Sequence, residues 1–312
     1  MRQTFINTLC ELASQDSRIW LLCGDLGFSV LEQFAELFPD RFINIGIAEQ
    51  NMLGVAAGLA LSGKVVFVYS LGNFPTLRCL EQLRNDICYH NLNVNIVVAG
   101  SGLDYGSHGY SHHAVEDIAI LRSLPHLTIA APANSYECKL VTQIVTHSTE
   151  PSYVRLSKST YDFTPTQSTL LMGKPLEYCQ STQKSNIKIL STGNMLNTAL
   201  DIKEILFSQY SLVASVHTFP FIRPICEISI QEILETCSYL VIIEEGSIVG
   251  GFSSAILEIL NDKYINLKLK ILRFGLPIIP FKRANNRLDI LNSYNLSASQ
   301  IVKDFIQATN LV

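Results

Sequence analysis

Glu49 is the residue of this sequence best placed to move a proton. It stands in Arg41 to Gly63, RFINIGIAEQNMLGVAAGLALSG, where a short apolar run meets a helix. Phe42, Ile43, Ile45 and Ile47 read as strand. Met52, Leu53, Val55, Ala56, Ala57, Leu59, Ala60 and Leu61 are apolar nearly all round a helix, which predicts a buried one. Ligands of open α/β sheets collect at the carboxyl ends of strands, and the joint puts Glu49 there. A carboxylate in that position can act as acid or base, or can simply complement the helix dipole; the residues alone leave both open. Gly54 and Gly58 would each cost about 1 kcal/mol in a helix interior, so they predict another backbone packed against their face.

A second concentration of polar groups follows an apolar strand, Val94 to Ala99, in GSGLDYGSHGYSHHAVEDIAILRSLP. Its histidines, His108, His112 and His113, could suggest a metal, but no carboxylate or cysteine stands at helical spacing to complete a ligand set. The loop Gly24-Asp25-Leu26-Gly27 ends another strand, Ile19 to Cys23, and is again a ligand position. Gly250-Gly251 opens a helix and could take a phosphate. No GxGxxG or Walker pattern accompanies it, and it reads as packing.

The elements that must hold these residues alternate between strand and helix. Strands at Lys64 to Tyr69, Ile129 to Pro132 and Tyr153 to Leu156, with helices at about Thr76 to Tyr89 and Ser135 to His147, make a first βα-repeating domain over 1–160. Residues 161–185, rich in Ser, Thr, Gln and Pro, read as a linker with one edge strand at Leu170-Leu171. A second α/β domain, 186–312, carries strands at Ile187 to Leu190, Val213 to Val216, Tyr239 to Ile243 and Leu267 to Leu272, and a helix from Leu196 to Phe207. The fold class is α/β: two doubly wound domains, each with a mostly parallel sheet.

The chain has 312 residues, 48% hydrophobic and 16% charged, enough for two ordinary domains with large cores. A net charge of −4 gives no electrostatic reason to expect nucleic acid or an anionic membrane. The first twenty residues lack a continuous apolar stretch and no run is long enough to span a bilayer, so the expected location is cytoplasmic. Eight cysteines at irregular spacing read as reduced core residues. A mean hydropathy of +0.24 hints at a large subunit interface and self-association.

GIAEQNM followed by an apolar, glycine-spaced helix resembles the transketolase group of thiamine-diphosphate enzymes, in their pyrimidine-binding domain. The resemblance implies that Glu49 hydrogen-bonds N1′ of the cofactor's aminopyrimidine and favours the imino tautomer that deprotonates the thiazolium. It extends through LRCLEQLRNDICYHNLNV and implies cofactor contacts from Phe74, stacked on the pyrimidine ring, and from Asp25 and Gln82. His112 matches the family's histidine facing cofactor and substrate. Arg2 and Ser29 match an Arg and a Ser that help hold a sugar phosphate, and Lys158, in RLSK, a basic residue contacting substrate phosphate. For Arg2, Ser29 and Lys158 the plainer readings are a solvated terminus, a helix cap and a surface lysine. The second domain resembles the family's third, which completes the dimer rather than the active site.

Two residues depart from the family pattern: His108 replaces an Asp, and Gly100 replaces the His that phosphosugar-using members carry. His108 remains a substrate-side candidate, and the usual sugar-phosphate acceptor loses support. The GDG motif that holds Mg²⁺ and the cofactor's diphosphate in the family's other catalytic domain is absent, and no metal ligands are expected in this chain. The resemblance therefore implies one subunit of a split transketolase, pairing with an N-terminal transketolase-like subunit as α₂β₂ and moving a two-carbon ketol unit from a ketose-type sugar or sugar phosphate to an aldehyde, in unusual-sugar synthesis if the departures are functional. Deoxyxylulose-phosphate-synthase-like or pyruvate-dehydrogenase-beta-like use of an α-keto acid is the alternative, and GIAEQ argues against the latter. A non-catalytic regulatory or assembly subunit would have no need of Glu49.

Overall fold

Parallel strands need long crossovers, and a helix is the crossover that also covers the sheet face. The computed structural model describes residues 1–158, 163–179, 185–263, 268–280 and 285–311. Its first half runs α1 (Arg2–Gln15), β1 (Ile19–Cys23), α2 (Glu32–Leu37), β2 (Phe42–Asn44), α3 (Glu49–Leu61) and β3 (Val65–Leu71). A short α4 (Leu80–Gln82) sits between π-helical turns at Phe74–Arg78 and Leu83–Cys88. Then come β4 (Val94–Ala99), α5 (Asp117–Leu121), β5 (Thr128–Ala130), α6 (Ser135–His147) and β6 (Ser152–Leu156). These strands form one parallel sheet in the order β5-β6-β4-β3-β1-β2. Because they are parallel, the segments after β2, β3 and β4 emerge at one edge, and these carry Glu49, Phe74 and the histidine loop.

The second half runs β7 (Leu176–Tyr178), β8 (Ile187–Ser191), α7 (Leu196–Tyr210), β9 (Ala214–Thr218), β10 (Phe221–Arg223), α8 (Glu227–Leu234), β11 (Tyr239–Ser247), α9 (Phe252–Lys263), β12 (Lys270–Leu276), α10 (Arg287–Ser293) and α11 (Ala298–Thr309). Its sheet, β12-β11-β8-β9-β7, is parallel except at the β7 edge. β10 instead joins the first sheet, antiparallel to β5. The halves also share an apolar core, in which Val97 and Val141 of the first lie with Ile189, Met195 and Phe305 of the second.

The structure adjusts the sequence reading in places. The linker's edge strand is β7 rather than Leu170-Leu171, and residues 159–162 and 180–184 of the expected linker lie outside the described residues. So does Leu267, and the last strand begins at Lys270. α3 is not buried all round: Gly54, Gly58 and Leu61 are exposed, and a methyl group added at either glycine would meet nothing within 4 Å. Among the described residues, none supplies the backbone those glycines were expected to admit. The eight cysteines are free, and among the described residues no helix is long and apolar enough to cross a membrane.

Candidate active site

Glu49 opens α3 and is 2% exposed. Its Oε2 accepts from Arg78 Nη1 at 2.8 Å, and the Arg78 guanidinium lies 4.8 Å from the centre of the Phe74 ring. Oε1 has no hydrogen-bond partner among the described residues. Glu49 is buried as a residue, yet Oε1 is not one of the chain's enclosed oxygens, so a donor from outside the chain can reach it. The edge of an aminopyrimidine, with a ring nitrogen able to share a proton, fits that oxygen. Gln82, one turn beyond Arg78, has a buried Oε1 with no partner among the described residues. The sequence therefore places a carboxylate, a flat aromatic face and an amide around the same π-helical segment, a winding frequent at functional sites.

The histidine loop meets this group. Asn73, beside Phe74, donates to the carbonyls of Ser111 at 3.2 Å and His113 at 2.5 Å. The Phe74 and His112 rings then stand edge to face, 5.8 Å apart. His108 lies 5.2 Å from His112, and Tyr105 contacts both. Burial, and after it the neighbouring His108 and His113, lower the His112 pKa, so the neutral ring that can accept a proton is favoured at pH 7. Among the described residues no three His, Cys, Asp or Glu side chains converge as a metal site.

Tyr105 also explains Gly100. Gly100 has φ +81°, and a Cβ there would stand 2.1 Å from the Tyr105 ring, so the ring occupies the space a side chain at position 100 would need. Lys158 Nζ sits 3.8 Å from the centre of that ring and donates to the Asp104 carbonyl at 3.2 Å. Arg2 lies near Tyr69, where its charge opposes the burial that pushes the Tyr69 hydroxyl up to about 12. Asp25 and Ser29 make local contacts. The Asp25 carboxylate accepts from Asn44 Nδ2 at 3.2 Å, and the Ser29 N–H donates to Glu32 Oε1 at 2.7 Å, so Ser29 does not cap α2 through its hydroxyl. The structure thus gathers Glu49, Phe74, His108, His112 and Lys158, and leaves Asp25 and Ser29 at the rim of the same sheet edge.

The second half of the chain floors the loop. Glu245, 3% exposed at the end of β11, accepts from the Leu103 N–H at 2.8 Å and from Arg287 Nε at 2.7 Å. Gly102, at φ +55°, is where the Glu245 side chain passes: a Cβ would stand 2.6 Å from its Cγ. Arg155 donates to the carbonyls of Ala114 and Glu245 and pairs with Asp117, tying the far end of the loop to β11. Asp104 accepts from Asn194 and from the Lys158 N–H, each at 2.8 Å; burial, with the Glu245 charge, pushes its carboxyl up to about 6. Side chains of the second half thus brace the loop that carries His108 and His112. The Gly250-Gly251 turn is packing, as expected. The buried Glu244 carboxylate accepts the Phe252 and Ser253 N–H groups, filling the helix terminus a phosphate would need.

Residues 1–164 match the family described as transketolase, pyrimidine binding domain, and residues 179–301 match transketolase, C-terminal domain. The chain belongs to the transketolase family. It is 33% identical over 311 residues to a Methanocaldococcus jannaschii protein described as a transketolase C-terminal section, covering 98% of this chain and 95% of that one. It is 29% identical to a Phocaeicola vulgatus protein described as one of the subunits of an apulose-4-phosphate transketolase, with 98% and 96% of the two chains covered. A solved split-gene transketolase, described as an inactive beta4 tetramer, superposes with a TM-score of 0.86 at 29% identity, covering 99% of this chain and 98% of that one.

Within this transketolase chain, Arg78, Asn73, Tyr105 and Glu245 are the site residues that sequence reasoning did not single out. Asn73 lies in a stretch whose sequence reads as a turn opening a helix, and Arg78 in LRCLEQLRNDICYHNLNV, where the resemblance points instead to Gln82 and to Phe74 before it. Tyr105 had one signal, the unexplained Gly100. Glu245 had none, because its partner Leu103 lies 142 residues away.

Proposed function

We propose that this chain, with 1–160 as pyrimidine-binding domain and 186–312 as C-terminal domain, is the cofactor-activating subunit of a split, thiamine-diphosphate-dependent transketolase. The observation that supports it most is Glu49: a buried carboxylate at the carboxyl edge of a parallel sheet, one oxygen held by Arg78 and the other open to a donor. Thiamine diphosphate supplies, when bound, the carbon nucleophile for cleavage beside a carbonyl. Glu49 shares a proton with its pyrimidine nitrogen, Phe74 orients the ring, and neutral His112 takes and returns the proton of the substrate hydroxyl. Lys158 and Arg2 bring positive charge to the substrate side.

A partner subunit is part of the reading. The chain carries no GDG motif, so Mg²⁺ and the diphosphate fall to a separate N-terminal transketolase-like chain. Apolar side chains crowd the Glu49 edge: Ile47 is 79% and Phe28 76% exposed, and the Gly54 and Gly58 face of α3 is open. Such a surface is what a subunit interface leaves on one half. Tyr105 in place of a side chain at position 100 supports a donor or acceptor shaped differently from ordinary sugar phosphates. The test is ketol transfer, with the chain co-purified with an N-terminal transketolase-like subunit and offered ketose donors and aldehyde acceptors, phosphorylated and not. Turnover by the pair and by neither chain alone is expected; a cofactor-loaded pair that cleaves only α-keto acids would contradict the ketol-transfer reading.

A further inference from the structure

We propose that a cleft in the C-terminal half, apart from the Glu49 site, binds a monosaccharide phosphate. The cleft has a volume of about 710 Å³ and is walled by β7, β8, β9, α8 and the segment 166–175, within the range that holds small ligands. Among its thirteen lining residues only Leu171, Pro175 and Ile233 are apolar, so a hydrophobic or aromatic ligand would find little to pack against.

The lining carries two ammonium groups, Lys174 and Lys188, and two carboxylates, Glu177 and Glu232. Lys188 is half-buried on β8, with Lys174 exposed on the segment facing it, and neither ammonium group is ion-paired or hydrogen-bonded to any described residue. Buried His217 stands next to them, its Nε2 3.2 Å from the Ser215 hydroxyl. Burial, then the Lys188 charge, brings the His217 pKa down to about 4, so the ring stays neutral and adds a hydrogen-bonding group rather than a third charge. A partly desolvated ammonium in a concave site is complemented by an anion, and a phosphate can accept from the half-buried Lys188 and from Lys174, which lines the same cleft. The rest of the lining suits hydroxyl groups. Glu177 and Glu232 offer carboxylate acceptors, and neither comes within ion-pair distance of a cleft lysine among the described residues. Thr166, Ser168 and Thr169 add hydroxyls that both donate and accept.

Proton NMR of the whole chain tests this through the His217 C2–H resonance, assigned by its loss in His217→Gln. Titration with ribose 5-phosphate is expected to shift that resonance saturably, inorganic phosphate to shift it with lower affinity, and ribose to leave it in place. Lys174→Met and Lys188→Met, each melting as the parent does, are expected to weaken ribose 5-phosphate about tenfold or more, the loss of one charge-assisted hydrogen bond. No shift with ribose 5-phosphate, unchanged affinity in both lysine variants, or phosphate binding as tightly as the sugar phosphate would each overturn the proposal.

Discussion

Replacing Glu49 with Gln is expected to lower kcat of the reconstituted enzyme by about 10²- to 10⁴-fold, the range of a lost proton-transfer group. The change keeps shape and volume. Glutamine can still accept from Arg78 through its carbonyl, so the buried contact at the start of α3 survives and melting should stay near that of the parent. What goes is the ability to share a proton with a pyrimidine nitrogen. Steady-state kinetics with added thiamine diphosphate, beside a melting curve, separates the two effects. Retention of full turnover in a folded Glu49→Gln protein would remove the catalytic role and leave Glu49 as a dipole-complementing residue.

Glu245→Ala is expected to destabilise the chain by about 3–5 kcal/mol, because it leaves Arg287 without its carboxylate and the buried Leu103 N–H without an acceptor. Glu245→Gln, which keeps an acceptor for Leu103 and loses only the charge, should cost less. The histidine loop is what Glu245 holds, so the Ala variant should also lower kcat of the pair more than it raises KM, with the Gln variant recovering part of the loss. Calorimetric melting and kinetics on both variants check this. An Ala variant as active and as stable as the parent would show that the second half of the chain does not position the loop. Gly102→Ala probes the same contact from the other side, since its methyl group meets the Glu245 side chain and its φ of +55° suits glycine.

The parts of this structure legible in the sequence are those fixed by local pattern. β1, β4 and α6 begin and end at Ile19–Cys23, Val94–Ala99 and Ser135–His147 as their apolar runs and polar flanks dictate. Glu49 falls at the strand-to-helix joint for the same reason. Contacts between distant segments were not legible. The turn from β9 into β10 sends a strand of the second half to the first sheet, which no periodicity announces. Glu245 and Leu103 meet only because β11 ends beneath the histidine loop. Gly54 and Gly58 are unusual for a helix interior, as their composition suggests, but they face outward, since a single chain's sequence does not say whether the backbone they admit is its own.

On the proposed reading the chain completes a cofactor site only with a second, N-terminal transketolase-like chain. Titration calorimetry of thiamine diphosphate with Mg²⁺ tests it directly, first on this chain alone and then on the co-expressed pair. Binding by the pair, and none by either chain alone, is the predicted result. No binding by a well-folded pair, or equally tight binding by this chain on its own, would contradict it.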